Sequence, residues 1–188
     1  MKNKLLILVF ILSLPVILSA LPATDVEIIN NRDYFPAVYK LFQDAEESIY
    51  IFMYLARIYP DYPEDVNWEL LDVLIEAKER GIDVKVILDA SSWNKGNTLK
   101  NKQMADALKE GGVEVFFDPP DITSHSKLLI VDHRYTVVGS TNWSYHALEK
   151  NNEASVLIDS EPVAEAFEEY FYKNLNLSSK KLKIKDLE

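Results

Sequence analysis

The stretch that decides the fold runs from residue 48 to residue 90 and reads SIYIFMYLARIYPDYPEDVNWELLDVLIEAKERGIDVKVILDA. Its first part, SIYIFMYLA, is a run of β-branched and aromatic residues that is too short and too apolar for a surface helix, so it predicts a buried strand. NWELLDVLIEAKERG then carries one apolar stripe and ends at Gly81, which predicts an amphipathic helix. IDVKVILDA predicts a second strand. This order favours a right-handed crossover between parallel strands.

The same alternation of strands and helices continues on both sides of that stretch. We predict further helices at residues 34–45, 99–109 and 161–174, and further strands at 25–29, 113–117 and 153–158. The strand at 25–29 is expected at an edge of the sheet. We therefore expect a single domain of the α/β class, with a mixed, largely parallel β-sheet flanked by helices on both faces.

The ends of the chain differ from its middle. Lys2 and Lys4 precede an apolar run, so residues 1–23 are predicted to be a signal peptide or an N-terminal membrane anchor. Because positive residues before such a run tend to stay in the cytoplasm, we expect the domain at 24–176 to be exported: secreted, periplasmic or anchored at the cell surface. Residues 177–188 form a basic C-terminal tail, which we expect to be frayed.

Composition excludes several classes of protein. With 188 residues, 48% of them hydrophobic, the chain can bury its own core. It contains no cysteine, so disulfides and cysteine-based zinc or iron-sulfur sites are excluded. The net charge of −10 has the wrong sign for a protein that coats DNA with a broad basic surface. A polyanionic substrate would have to be held locally, for example by Lys95, Lys100 and Lys102 near the strand ends.

A second pattern begins at residue 125, where HSKLLIVDHRYTVVGSTNW predicts two antiparallel strands joined by a tight turn. If the turn centres on residues 133 and 134, Lys127 opposes Ser140 and His125 opposes Asn142. Side chains alternate between the faces of a strand, so this register places all four polar groups on one face. A shift of one residue would scatter them.

The chemistry of such a cluster suits an anionic, tetrahedral phosphoryl centre. An imidazole can act as nucleophile or acid, an ammonium is a fixed cation, and a hydroxyl and an amide can donate hydrogen bonds. Asp132 has the other parity and lies at the turn, which favours a structural role. A single histidine near a single lysine is more often ordinary surface chemistry than a catalytic pair, so the wider pattern has to decide.

The spacing of His125, Lys127 and Asp132, followed by GSTNWS at 139–144, resembles the HxKxxxxD motif of the phospholipase D superfamily with its Gly-Ser-x-Asn element. The similarity extends over residues 27–172 and is greatest to the single-motif, Nuc-like endonuclease branch. It implies a phospholipase D/nuclease-like fold and a hydrolysis of phosphodiesters that uses no metal and no cofactor. In that reaction one histidine attacks phosphorus to form a phosphohistidine, and a second protonates the leaving oxygen.

The resemblance also assigns roles to individual residues and implies a homodimer. The chain offers one motif histidine where the reaction needs two, so two subunits would share a site, each contributing His125. By this resemblance the catalytic residues are His125, Lys127, Asp132, Asn142 and Glu153. Lys127, Ser140 and Asn142 would bind the substrate phosphate, Glu153 would orient the imidazole, and Asp132 would brace the loop.

Other residues have a structural as well as a functional interpretation. His133 and His146 have no motif partner, so we expect both to be exposed and without a role, and a zinc site built from the three histidines is not expected. Trp143 is expected to pack in the core, with stacking on a base as the alternative. The loop at 59–65 is expected to be a plain connection, with a border of the site as the alternative.

Three functions remain open on the sequence. The first is a nuclease acting on DNA or RNA, and the second is a phospholipid phosphodiesterase acting on lipids such as cardiolipin, for which an N-terminal membrane association would bring the substrate near. The third is a binding module with a degenerate site, which the intact set of motif residues disfavours.

Overall fold

The computed structural model describes residues 20–182, so most of the predicted targeting segment and the last six residues lie outside the described range. The strands are β1 (Asp25–Ile28), β2 (Ser48–Met53), β3 (Asp83–Leu88), β4 (Glu114–Phe117), β5 (Lys127–Val131), β6 (Tyr135–Gly139) and β7 (Ser155–Asp159). The helices are α1 (Tyr34–Gln43), α2 (Val66–Glu79), α3 (Lys95–Glu110), α4 (Tyr145–Glu149) and α5 (Glu161–Leu175).

Local sequence explains where the main helices begin and end. Asp65 caps α2 by accepting the backbone N–H of Asn67, and Ser160 caps α5 by accepting that of Val163. After α2, Gly81 takes a φ of +93°, a conformation that side chains disfavour, and turns the chain into β3. The parallel pairing of β2 with β3 across α2, predicted from the 48–90 stretch, is confirmed.

All seven strands of the described range form one sheet in the order β1-β7-β6-β5-β2-β3-β4. The expected mixed sheet is confirmed, but the expectation that it is largely parallel is wrong. Among these strands, β2–β3 and β3–β4 are parallel, whereas the other four pairings are antiparallel. The three-residue turn between β5 and β6 permits only antiparallel pairing. After the longer segment 140–154, which contains α4, β7 also pairs antiparallel with β6.

Helices cover both faces of the sheet, as expected. On one face, α1, α2 and α3 contribute Val38, Leu74 and Met104 to the larger core cluster. On the other face, α5 packs Ala164 and Phe171 against the strands. The edge position of β1 is also confirmed, because β1 pairs only with β7 among the strands of the described range.

The described part of the C-terminal tail is docked, which corrects the expectation that it is frayed. Ser179 forms a β-bridge with Phe117, and Leu182 is buried. Within residues 20–182, no helix has both the length and the apolar character needed to cross a membrane.

The predicted register of the β5–β6 hairpin is wrong by one residue. Leu128 opposes Val138 and Val131 opposes Tyr135, because three residues form the turn instead of two. Asp132 and His133 both have positive φ, and the backbone N–H of Arg134 donates to the carbonyl of Val131. Strand pairing therefore does not bring Ser140 and Asn142 opposite Lys127 and His125, and something else must bring the polar groups together.

Candidate active site

One edge of the sheet collects the polar groups from five strands. Strands β2, β3 and β6 end there, and strands β5 and β7 begin there. As a result Asp89, which follows β3, and Glu153, which precedes β7, approach the start of β5. His125 and Lys127 lie at that start. The directions of the strands therefore bring these groups together. This does not depend on the register of the β5–β6 hairpin, which was predicted wrongly by one residue.

His125 and Lys127 form the centre of this edge. The ammonium of Lys127 donates to the carbonyl of His125 at 2.9 Å, and its Nζ lies 3.3 Å from Nδ1 of the imidazole. The ring of Tyr54 lies beside both, with its centroid 4.4 Å from the His125 ring centroid and 4.8 Å from Nζ. His125 is exposed, whereas Lys127 is only 6% exposed. The imidazole can therefore meet a ligand while the lysine is held behind it.

Ser140 and Glu153 are in direct contact with each other. The Ser140 hydroxyl donates to Glu153 Oε2, and the side-chain amide of Asn151 donates to Oε1 at 3.0 Å. Both oxygens of the carboxylate thus accept hydrogen bonds from residues other than His125. Within residues 20–182, the contact from Glu153 to the imidazole that the family resemblance implies is not made. The carboxylate is nevertheless close enough to Lys127 to favour its charged form.

Asn142 reaches this edge through a bridge between two loops. Its neighbour Trp143 donates its backbone N–H to the carbonyl of Leu55 and accepts that of Arg57, which ties the chain after β6 to the chain after β2. Among the described residues, Asn142 Oδ1 is a buried atom without a hydrogen-bond partner. This atom is an acceptor, so it can bind a donor on a ligand, whereas phosphate oxygens would have to be bound by the amide NH2.

Two buried carboxylates behind the histidine were not predicted as site residues. Asp89 is fully buried and accepts the Ser91 hydroxyl at 2.6 Å and the backbone N–H of Ser124 at 2.8 Å. It therefore anchors the residue that precedes His125. Asp118 accepts the backbone N–H of Ala90 at 2.6 Å. The signal was present in the sequence, because Asp89 ends a parallel strand, where ligands commonly bind in α/β sheets.

Burial and neighbouring charges shift the pKa values of these groups. Burial lowers the pKa of Lys127 to about 8, against the opposing effect of Glu153 and Asp89. Burial and then the charge of Lys127 lower the pKa of His125 below its usual 6.5. Burial raises the pKa of Asp89, and it raises that of Asp118 to about 6. At neutral pH the site therefore offers a neutral imidazole next to a charged ammonium.

Asp132 lies at the opposite edge of the sheet from His125. Its carboxylate accepts the backbone N–H groups of Glu46, Glu47 and Ser48 at 3.0, 2.8 and 3.0 Å. The length of β5, roughly 20 Å with its flanking residues, separates Asp132 from His125. Asp132 joins the β5–β6 turn to the start of β2 and does not reach the polar cluster.

The remaining residues singled out in the sequence are placed as follows. His133 and His146 are exposed, as expected, and His133 Nδ1 lies 2.7 Å from Glu168. Trp143 is fully buried and donates its indole N–H to the Tyr34 hydroxyl at 3.2 Å, which confirms a packing role.

The three candidate local cations all lie on α3. Lys100 contacts Asn97 at 3.4 Å, and Asn97 in turn donates to the Tyr54 hydroxyl. Lys102 forms an ion pair with Asp106. Lys95 is exposed near the N-terminus of α3. Within residues 20–182, no group of three or more histidine, aspartate or glutamate side chains is arranged to hold a metal ion.

Comparisons with known proteins agree with this architecture. The family model described as "Cardiolipin synthase, PLD-like domain" matches residues 38–175. A phospholipase D from Rickettsia typhi is 29% identical over 126 residues, which cover 66% of this chain and 54% of that protein. This chain thus spans about half the length of that relative.

Two solved structures share the fold. The phospholipase D family member Nuc from Salmonella typhimurium superposes with a TM-score of 0.69 at 25% identity, covering 82% of this chain and 95% of that one. NucT from Helicobacter pylori superposes with a TM-score of 0.65 at 20% identity, covering 82% and 98%. Because the family model covers most of the chain, this protein belongs to the phospholipase D superfamily, whose enzymes act on phosphodiester bonds.

Proposed function

We propose that this protein is a metal-independent phosphodiesterase that hydrolyses nucleic acid through a phosphohistidine intermediate. Among nucleic acids, DNA is the first candidate substrate and RNA is the second. The observation that carries the proposal is the pairing of an exposed imidazole with a buried ammonium 3.3 Å from its Nδ1. Burial and the neighbouring ammonium keep the imidazole neutral, as a nucleophile must be. The ammonium is a fixed positive charge for the phosphate oxygens.

The proposed reaction has two steps that balance in atoms and protons. In the first, Nε2 of His125 attacks phosphorus, the bond to the leaving oxygen breaks, and a second imidazole gives its proton to that oxygen. In the second, the same imidazole takes a proton from water, the hydroxide attacks phosphorus, and the P–N bond breaks. Lys127 and Asn142 bind the phosphate oxygens in both steps, with Ser140 as a further donor.

For Nε2 to attack, the imidazole proton must reside on Nδ1, which requires an acceptor there. In the single subunit Nδ1 faces Lys127, and the carboxylate of Glu153 is bonded to Ser140 and Asn151. We propose that Glu153 becomes the acceptor when the site is complete. Its proximity to Lys127 supports this assignment.

The second imidazole is proposed to come from a second copy of the chain. The sequence contains three histidines. His133 lies at the turn beside Asp132, at the far edge of the sheet, and His146 lies on α4 with its ring against Tyr145. A homodimer with two-fold symmetry would bring two copies of His125 to one phosphorus atom. The two imidazoles would then titrate as a coupled pair.

The proposal is tested with the purified full chain in EDTA. Hydrolysis of bis(p-nitrophenyl) phosphate and of single-stranded DNA is expected to continue in EDTA, and His125→Asn is expected to remove it. His146→Asn is the matched control and is expected to retain activity. Hydrolysis that appears only after a divalent metal is added would contradict the mechanism.

A phospholipid substrate is the second candidate. It is supported by the family model, which is described by cardiolipin synthase, and by the similarity to a phospholipase D. Vesicles of an anionic phospholipid offered beside DNA at equal phosphate concentration separate the two candidates. Faster release of the lipid headgroup than of nucleotides would replace the first candidate with the second. We also propose that residues 1–23 direct the domain out of the cytoplasm, with or without cleavage.

A further inference from the structure

A groove lined by three tyrosines lies at the same edge of the sheet as His125 and takes no part in the proposed reaction. Tyr59 and Tyr62 come from the loop after β2, and Tyr145 comes from the start of α4. The Tyr59 hydroxyl accepts the backbone N–H of Tyr145 at 3.2 Å, which holds the two segments together. The groove has a volume of about 540 Å³, and Glu64 and Asp65 complete its lining.

The groove adjoins the phosphate-binding end of the site. The bridge between Ala56 and Trp143 joins the two segments that form it, and Asn142 is the residue directly before that bridge. Tyr145 is three positions after Asn142, so their Cα atoms are at most about 11 Å apart. On the other segment, Tyr54 touches the His125 ring five residues before Tyr59. A group attached to a phosphate at His125 could therefore reach the groove.

The faces of the tyrosine rings are bordered by cations. The guanidinium carbon of Arg57 lies 4.1 Å from the Tyr59 ring centroid, and Lys150 Nζ lies 5.4 Å from that of Tyr145. Tyr62 is 61% exposed and presents an uncovered ring. Aromatic rings with adjacent cations combine a stacking surface with charges that attract a phosphate backbone.

The acidic residues of the groove narrow the choice of ligand. Glu64 is exposed and can accept a hydrogen bond from an N–H on the edge of a base, either an amino group of adenine, cytosine or guanine or the N3–H of thymine. An acyl chain could form no hydrogen bond with this carboxylate and would gain nothing from the two bordering cations. A nucleotide can use all three features: its base can stack on the tyrosine rings and bond to the carboxylate, and its phosphates can contact the cations. Stacking also suits a chain with a net charge of −10, because it holds a polyanion without a broad basic surface.

We propose that this tyrosine groove binds a nucleobase of the substrate strand, adjacent to the phosphate that His125 attacks. The inference rests on the proposed nuclease function and makes it more specific: the preference for nucleic acid over lipid comes from stacking on Tyr62 and Tyr145. Arg57 and Lys150 would contact the neighbouring backbone phosphates.

Three p-nitrophenyl phosphodiesters with the same leaving group test the groove: the thymidine 5′-ester, the methyl ester and the choline ester. The full chain is assayed in EDTA alongside Tyr62→Ala, Tyr145→Ala and Tyr62→Phe. The alanine variants are expected to raise KM for the thymidine ester about tenfold. They should leave kcat/KM for the methyl ester unchanged, and Tyr62→Phe should behave as the wild type. Tyr170→Ala, an exposed tyrosine on α5, is the matched control.

Equal effects on the thymidine and methyl esters, or no effect on either, would overturn the groove as a base site. A preference of the wild type for the choline ester that is lost in the alanine variants would also overturn it, in favour of a quaternary ammonium site.

A binding measurement separates this proposal from the proposed reaction. Fluorescence anisotropy of single-stranded oligothymidylate with the His125→Asn protein is expected to show about tenfold weaker binding when Tyr62→Ala is added. That result would support the groove even if no ester is hydrolysed. The groove is rejected if Tyr62→Ala leaves the affinity unchanged, or if the His125→Asn protein itself shows no binding.

Discussion

His125 is exposed, yet its charge is controlled by residues that solvent hardly reaches. Lys127 lies 3.3 Å from Nδ1, and the fully buried Asp89 anchors the preceding residue and counters the charge of Lys127. The exposed group can thus change its bonding during a reaction while the buried groups keep their places. This division between a reactive side chain and fixed neighbours is what a preorganised site requires.

The pKa values predict a bell-shaped dependence of kcat/KM on pH. With p-nitrophenyl esters, whose leaving group needs no proton from the second imidazole, activity should rise as His125 loses its proton, below its usual pKa of 6.5. It should fall as Lys127 loses its proton near pH 8. In Lys127→Arg the guanidinium stays charged, so the falling limb should move above pH 9 even if the rate is lower. Rates of p-nitrophenolate release between pH 5 and pH 10 check this. If the falling limb stays near pH 8 in Lys127→Arg, then loss of a proton from the two imidazoles, and not from Lys127, causes the fall in activity.

Asp118 predicts a change in stability with pH. Its pKa is raised from 3.8 to about 6 in the folded state, so the folded protein binds more protons than the unfolded chain between these values. Wild-type stability therefore loses up to about 3 kcal/mol as pH rises through this window. In Asp118→Asn that loss is absent. Relative to wild type, the variant should gain stability between pH 4 and pH 7, as measured by urea unfolding. If the stability difference between Asp118→Asn and wild type is the same at pH 4 and pH 7, the pH dependence does not come from Asp118.

At the scale of elements, the β5–β6 turn is fastened to the start of β2 by one side chain. The Asp132 carboxylate accepts three backbone N–H groups from residues 46–48. Asp132 and His133 also adopt the left-handed conformation that a three-residue turn needs here. The last residue of the family motif thus acts on the hairpin at the edge opposite the site.

Replacing Asp132 should therefore cost stability and leave the chemistry unchanged. We expect Asp132→Ala to lower the free energy of unfolding by about 2–4 kcal/mol, because three charge-assisted hydrogen bonds are lost. Asp132→Asn tolerates the same φ and should lose less. The rate per folded molecule, measured well below the melting temperature, should stay within twofold of wild type. A loss of rate comparable to that of His125→Asn would place Asp132 in the reaction.

The hairpin also shows what the sequence could not specify. Its two short apolar runs predicted both strands correctly, but a two-residue and a three-residue turn leave the same pattern. Ser140 and Asn142 reach the site edge through contacts distant in sequence that no local pattern encodes: Ser140 bonds to Ala154, and Trp143, the residue after Asn142, bonds to Leu55. The spacing of His125 and Lys127 needs only one strand, so that pair was predictable.

At the scale of the whole molecule, strand direction determines the site more than strand register does. The ends of β2 and β3 and the start of β5 share one edge because β5 runs antiparallel to β2. The predicted excess of parallel pairing was wrong, since the sequence does not reveal how β5, β6 and β7 join the sheet. The buried Asp89 was overlooked because an aspartate at the end of a strand is common and its environment is set by tertiary contacts.

A shared site predicts a particular result when subunits are mixed. Wild type and His125→Asn are unfolded together at equal concentration, refolded and assayed at the same total protein as wild type alone. If both imidazoles act on one phosphorus atom, only wild-type dimers work, and activity falls to about a quarter. Independent sites would give about half. A wild-type protein that is monomeric by light scattering and still active would reject the dimer.

The most direct test of the central claim is to trap the covalent intermediate. The full chain is mixed with thymidine 5′-(p-nitrophenyl phosphate) in EDTA and quenched in base within the first turnover, because phosphohistidine is lost in acid. Peptide mass spectrometry then locates the adduct. The account predicts a thymidylyl group on His125 that appears with the burst of p-nitrophenolate and then decays. Turnover in EDTA with the adduct on another residue, or no turnover without a metal ion, would contradict it.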